Sequence, residues 1–119
     1  MIIAIPVDEN KLESTVCISF GRTPYFLIYD TETDEHAFIE NHAANSQGGA
    51  GIKAAQLIVD QNVGSLVTPR CGENAAEVFN AAGVRLYKSI GTSIVENIDA
   101  FKNSQLPMLE EVHAGLHNH

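Results

Sequence analysis

Positive charge is scarce in this chain. Only 7 Lys and Arg stand against 15 Asp and Glu, a formal net charge of −8 over 119 residues. Binding a nucleic acid backbone needs a basic surface, so no nucleic acid partner is expected. Most of the acids are spread along the chain and read as solvated surface. The same scarcity makes Arg22, Lys53 and Arg70 informative. Long apolar runs are also missing. None approaches the ~20 residues that a membrane-spanning helix needs, so no membrane partner is expected. Cysteine is sparse, and Cys17 and Cys71 cannot build a disulfide framework. The opening Met-Ile-Ile-Ala-Ile-Pro-Val has neither a basic leader nor a small-residue cleavage site. It reads as a first strand, and the protein is expected in the cytoplasm.

The length fits one domain, and an apolar fraction of 45% is ordinary for a globular core. Residues 2–7 form a continuous apolar run, the mark of a strand buried on both faces. Residues 8–24 show no clean period, and a loop this long is usually functional or mobile. Residues 25–30 are aromatic and β-branched, hence a strand, and residues 36–41 return as the second arm of a hairpin. A flexible glycine-rich loop follows at Asn45-Ser46-Gln47-Gly48-Gly49-Ala50-Gly51. Helical spacing then appears at Ile52, Ala55, Leu57, Ile58 and Val59. Residues 65–68 read as a short buried strand, 74–82 as a helix stopped by Gly83, and 84–87 as the last strand. A third helix starts after Thr92 or Ser93, with Ile94, Val95, Ile98 and Phe101 facing inward. The domain is expected to span residues 1–104, with 105–119 as a flexible, His-containing tail.

This order, β-β-β-α-β-α-β-α, predicts an α/β fold with a five-stranded mixed sheet of order 3-2-1-4-5 and helices on both faces. It is a ribonuclease-H-like arrangement. Such a topology also locates a site. Strands 1, 4 and 5 exit at one edge, all three helices begin there, and open α/β sheets bind ligands at the carboxyl ends of their parallel strands. Helix N-termini carry unpaired N–H groups and a positive dipole end, which suit anions.

The candidate binding residues on this rim are Arg22, His42, Gly48, Gly49, Gly51, Lys53, Arg70 and Gly72. Gly48, Gly49 and Gly51 either form a nest of N–H groups around an anion or only permit tight turning. Their spacing matches neither the phosphate loop nor the dinucleotide fingerprint. Cys71, at a strand-to-helix turn beside Arg70, sits where a thiolate would be favoured, the form that binds metals. Cys71 is therefore the first metal candidate and Cys17 the second. A histidine on a hairpin is more often surface than ligand, which weakens His42 and still more His36. His113 and His117 could share a metal if their segment were helical, with His119 nearby, but the simpler reading is a polar tail.

Other chemistries are excluded by what is missing. Two-metal nucleases need carboxylates on the central strands. Here the first strand is Ile-Ile-Ala-Ile-Pro-Val and the fourth Ser-Leu-Val-Thr. No Ser–His–Asp or Cys–His–Asn set can be assigned either. The expected role is non-catalytic.

Several stretches resemble a known family: Met1 through Asn10, Phe20-Gly21-Arg22-Thr23-Pro24-Tyr25-Phe26, Gly49-Ala50-Gly51-Ile52-Lys53-Ala54-Ala55, and Cys71-Gly72-Glu73-Asn74-Ala75-Ala76 followed by Ala82-Gly83-Val84. The resemblance is to the dinitrogenase iron–molybdenum cofactor-binding and biosynthesis proteins, and it covers about residues 1–104. It implies a ribonuclease-H-like fold and binding of an iron–sulfur or iron–molybdenum–sulfur cluster. It also implies a carrier role with no turnover of its own; the candidate partners are cluster donor and acceptor proteins, and a further reading makes the chain a regulatory partner of a cluster-loading ATPase. Relatives often have His before Phe-Gly, where this chain has Ser19. If that His is a ligand in relatives, Cys17 or Cys71 must replace it. The alternative to a cluster carrier is a metal-independent binding module for a small anionic metabolite.

Overall fold

The structure, a computed structural model, describes residues 1–109. Strands β1 (Ile2–Val7), β2 (Tyr25–Asp30) and β3 (His36–Glu40) are followed by a 3₁₀ turn at His42–Asn45. Helix α1 (Ala50–Val59), strand β4 (Ser65–Thr68), helix α2 (Glu73–Ala81), strand β5 (Arg85–Lys88) and helix α3 (Ile94–Lys102) complete the order. The sheet runs β3-β2-β1-β4-β5. β2 is antiparallel to both β1 and β3, whereas β1, β4 and β5 are mutually parallel. Sheet order and strand directions agree with the expectation.

Side chains alternate across the pleat, so parity along each strand assigns the faces. Ala4, Phe26, Leu66 and Leu86 pack with Ala54, Ala55 and Ile58 of α1 and Ala75, Ala76 and Phe79 of α2. Ile3, Ile5, Val7, Leu27, Tyr29 and Val67 pack with Ile94, Ile98 and Ala100 of α3. β1 is buried on both faces because it lies between these two cores. α1 meets the sheet mainly through the alanines Ala54 and Ala55 together with Ile58. Val95, expected to face inward, is exposed.

Pro6 sits in the central strand, where a residue lacking an N–H breaks a ladder. The structure accommodates it. Ile2 O accepts from Gly64 N on the β4 side of β1 (2.8 Å). Alternate residues direct their backbone groups the same way, so Pro6 also faces that side. The β1–β4 register runs only through Ile3↔Ser65 and Ala4↔Leu66. Beyond it the chain folds back on itself: Cys17 N donates to Pro6 O (2.8 Å), Asp8 N to Thr15 O (3.0 Å) and Val16 N to Thr92 O (2.9 Å). Residues 15–17 therefore fill the notch at the carboxyl end of β1, and the long 8–24 connection is fastened to its neighbours.

Past α3 the chain continues as an extended segment along β5. Lys88 N donates to Pro107 O (2.8 Å), Leu109 N to Leu86 O (2.9 Å), and Leu106 is buried. His113, His117 and His119 lie outside the described residues. Among the described residues no helix is long and apolar enough to cross a membrane.

Candidate functional site

The carboxyl ends of β1, β4 and β5 open onto one rim; two clefts lie along it, and a third runs from it down α1 to Asp60, the C-cap of that helix. The first, about 360 Å³, is lined by Ile18, Ser19, Phe20, Gly21, Gly51, Arg70, Cys71 and Gly72. It sits between the first turn of α1, where Gly51 lies, and Gly72, the N-cap of α2. The second, about 600 Å³, is lined by Arg22, Pro24, Tyr25, Glu40, Asn41, His42, Ala44 and Asn45. The third, about 340 Å³, includes His42, Ser46, Lys53 and Asp60.

The expected site residues thus divide. Gly51, Arg70, Cys71 and Gly72 come together. Arg22 joins His42 in the second cleft, and His42 joins Lys53 in the third. Cys17, Gly48 and Gly49 line none of the three. Gly49 serves the fold instead, capping α1 at φ 69°, in the left-handed region that favours glycine. Arg22 Nη1 donates to Ala44 O (2.7 Å), which ties the guanidinium to the 3₁₀ turn. Lys53 Nζ lies 3.5 Å from Ser46 Oγ.

The protonation expected of Cys71 is corrected. Its turn position suggested a stabilised thiolate. In the fold, Cys71 is only 1% exposed and belongs to the core with Phe20, Ala75 and Phe79. Desolvation pushes its pKa up to about 12, so the resting form is the neutral thiol. Cys17 is raised as well, chiefly by burial, with Asp8 adding to the rise and Thr23 and the Ser19 backbone opposing it. Among the described residues no three His, Cys, Asp or Glu side chains converge as a metal site.

Two further residues, Gly21 and Asn41, build the rim without any chemistry of their own to mark them. Gly21 passes so close to α1 that an added Cβ would stand 3.0 Å from Gly51 N and 3.1 Å from Gly51 Cα. Both neighbours are backbone and cannot swing aside. Gly21→Ala is therefore expected to destabilise the fold by about 1–3 kcal/mol, read as a lower urea midpoint with an unchanged slope. Its Phe-Gly-Arg context is the only signal for it in the sequence. Asn41 is buried; its Nδ2 donates to Gly21 O (3.0 Å) and Thr23 O (2.9 Å), and its Oδ1 accepts from Ala43 N (3.1 Å). It ties the 20s loop to the 40s loop. Ser19 lines the first cleft, and its Oγ accepts from Arg22 N (3.3 Å).

The chain is thus a small open α/β domain with a cleft between two helix starts at one edge of its sheet, and comparison with known proteins narrows the class. The family model described as dinitrogenase iron–molybdenum cofactor matches residues 1–104, and the chain belongs to that family. An uncharacterized protein of Methanocaldococcus jannaschii is 35% identical over 113 residues, covering 92% of each chain. The apo form of the orange protein from Desulfovibrio gigas superposes with a TM-score of 0.87 at 28% identity, covering 92% of each chain. A Thermotoga protein provisionally named as a NifB protein superposes with a TM-score of 0.80 at 38% identity, covering 92% of this chain and 94% of the other.

Proposed function

We propose that the protein is a non-catalytic cytoplasmic carrier or scaffold for an iron–sulfur or iron–molybdenum–sulfur cluster, passed between donor and acceptor proteins. A cluster-loading ATPase is a fitting third partner. The observation that carries this reading is the first cleft. It joins Arg70, the buried thiol of Cys71 and the starts of α1 and α2 at the carboxyl ends of parallel strands. Membership of the family supports it. The structural relative from Desulfovibrio gigas is described as an apo form, which supports a guest for this chain too.

The cluster is cargo here, and incomplete ligation suits a cargo that must leave. One sulfur from Cys71 cannot hold a cluster alone, since protein-bound clusters take several thiolates. The remaining coordination comes from the cluster's own sulfides, from a second protein or from a small ligand. Arg70 and the two helix starts add electrostatic attraction for an anionic guest.

A metal-independent site for a small anionic metabolite is the second reading. It is favoured by the polar second cleft with Arg22 and His42. Anaerobic reconstitution separates the two. The wild type is expected to turn brown and retain iron with acid-labile sulfide, Cys71→Ser to lose most of it, and Cys17→Ser to keep it. Iron retained by Cys71→Ser at the wild-type level would remove Cys71 from the site. A wild type that binds no iron would transfer the case to the metabolite.

A further inference from the structure

The two outer edges of the sheet are treated differently. The edge of β5 is covered by residues 107–109 of the same chain, through the Lys88–Pro107 and Leu109–Leu86 hydrogen bonds and a Tyr87↔Met108 bridge. Among the described residues, no strand or bridge pairs with the outer edge of β3. A bare edge is a template for another strand, and natural edges are usually blunted with Lys, Pro, a bulge or an inward charge. The sequence of β3, His-Ala-Phe-Ile-Glu, has no Lys or Pro, and its register with β2 is unbroken from Tyr25↔Glu40 to Tyr29↔His36.

The hydrogen bonds to β2 fix which groups point outward. Asp30 N donates to Glu35 O (2.9 Å) and Asn41 N to Pro24 O (3.0 Å). Odd-numbered residues of this stretch therefore direct their N–H and C=O inward, while His36, Phe38 and Glu40 direct theirs to the open side. The side chains of these three share the α3 face of the sheet. There Phe38 lies opposite Leu27, and the His36 ring stacks 6.1 Å from Tyr29 and stands edge-on 5.8 Å from Phe38. His36 and Glu40 are both exposed.

We propose that this edge docks a second copy of the chain, β3 against β3, antiparallel about a two-fold axis at Phe38. Complementarity of an imidazole N–H donor to a negatively charged carboxylate selects the partner and the register. With Phe38 opposite the same residue of the second copy, each His36 falls opposite a Glu40. All these pairs are of the kind that exchange both backbone hydrogen bonds. Sliding by two residues keeps the hydrogen-bonding sense but places His36 or Glu40 opposite Phe38 and loses the reciprocal match. A surface that is its own complement in this way is the hallmark of a closed, isologous dimer. The two sheets join into one, and the two rims face opposite ends of it.

Sedimentation equilibrium of the full chain over a wide concentration range tests this, together with amide exchange. The wild type is expected to approach twice the chain mass at high concentration, with the Phe38 amide slowing as concentration rises. Glu40→Lys or His36→Glu alone should weaken the dimer about tenfold, since the first removes the carboxylate acceptor and the second opposes two carboxylates at both ends of the pairing. The double variant His36→Glu/Glu40→Lys restores a donor opposite a carboxylate and should recover wild-type association. A single-chain mass at every concentration would overturn the proposal. So would a double variant as weak as the single ones, or a dimer in which the Phe38 amide exchanges as fast as in the monomer.

Discussion

In the folded protein, Cys71 is expected to react with a thiol reagent at neutral pH about a thousandfold more slowly than an ordinary cysteine, or slower still. The thiolate is the reactive form. Raising the pKa from 9.0 to about 12 lowers the thiolate fraction by that factor, and burial among Phe20, Ala75 and Phe79 adds a steric barrier. Labelling with and without denaturant measures the ratio directly, and rapid labelling of the native protein would contradict it. The same shift has a stability consequence. Folding favours the neutral thiol, so its contribution is fully present below pH 9. It is lost as pH rises toward about 12, where the unfolded chain ionises first. Over that window Cys71 alone should account for up to ~4 kcal/mol of lost stability, visible as a flatter alkaline profile in Cys71→Ala. A metal that binds through this sulfur must displace its proton. Uptake through Cys71 should therefore strengthen about tenfold per pH unit around neutrality.

The second large effect is expected at two buried asparagines that hold the rim. Asn97 is fully buried in α3; its Oδ1 accepts from Ile90 N (2.8 Å), and its Nδ2 donates to Ile90 O (2.7 Å) and Ser93 O (2.8 Å). It pins the turn between β5 and α3, and Asn41 does the same for the loops on the other side. Replacing either with Ala strands several backbone groups where water reaches them poorly. A loss of about 2–4 kcal/mol is expected for each. Against a typical total of about 5–15 kcal/mol this is large, and chemical denaturation would show it clearly. The effects should add, because the two side chains serve different loops. A change below about 0.5 kcal/mol in either variant would show that water replaces these bonds at no loss.

The sheet is legible in the sequence because β1, β2 and β4 are short and largely apolar or β-branched, and every strand is bounded by turn residues. The β-β-β-α-β-α-β-α order leaves one simple arrangement. Helix α3 announces itself through Ser93, whose Oγ does accept from Glu96 N (3.1 Å). What the sequence does not disclose is direction and long-range pairing. Arg-Cys-Gly at a strand-to-helix turn looks the same whether the thiol points outward or into the core, and only the packing of Phe79 and Ala75 decides it. Asn41 and Asn97 are indistinguishable in sequence from surface asparagines. Residues 105–109 lack any period, yet they extend along β5 because that edge is there to be covered. The candidate residues that line a cleft divide among three, because Arg22 and Lys53 each engage the 40s loop instead of turning toward Cys71.

The return of residues 15–17 onto the end of β1 bears on how a guest is received. The stretch Ile18, Ser19 and Phe20 is anchored on one side where Cys17 donates to Pro6, and on the other where Asn41 grips Gly21. With so little slack between two fasteners, this wall of the first cleft is preorganised, even though Ile18 at its tip is 67% exposed. A ligand arriving there loses little affinity to loop ordering. On the carrier reading proposed above, handover to another protein would proceed by contact at the exposed Ile18 lip, without the wall having to unfold and refold for each transfer.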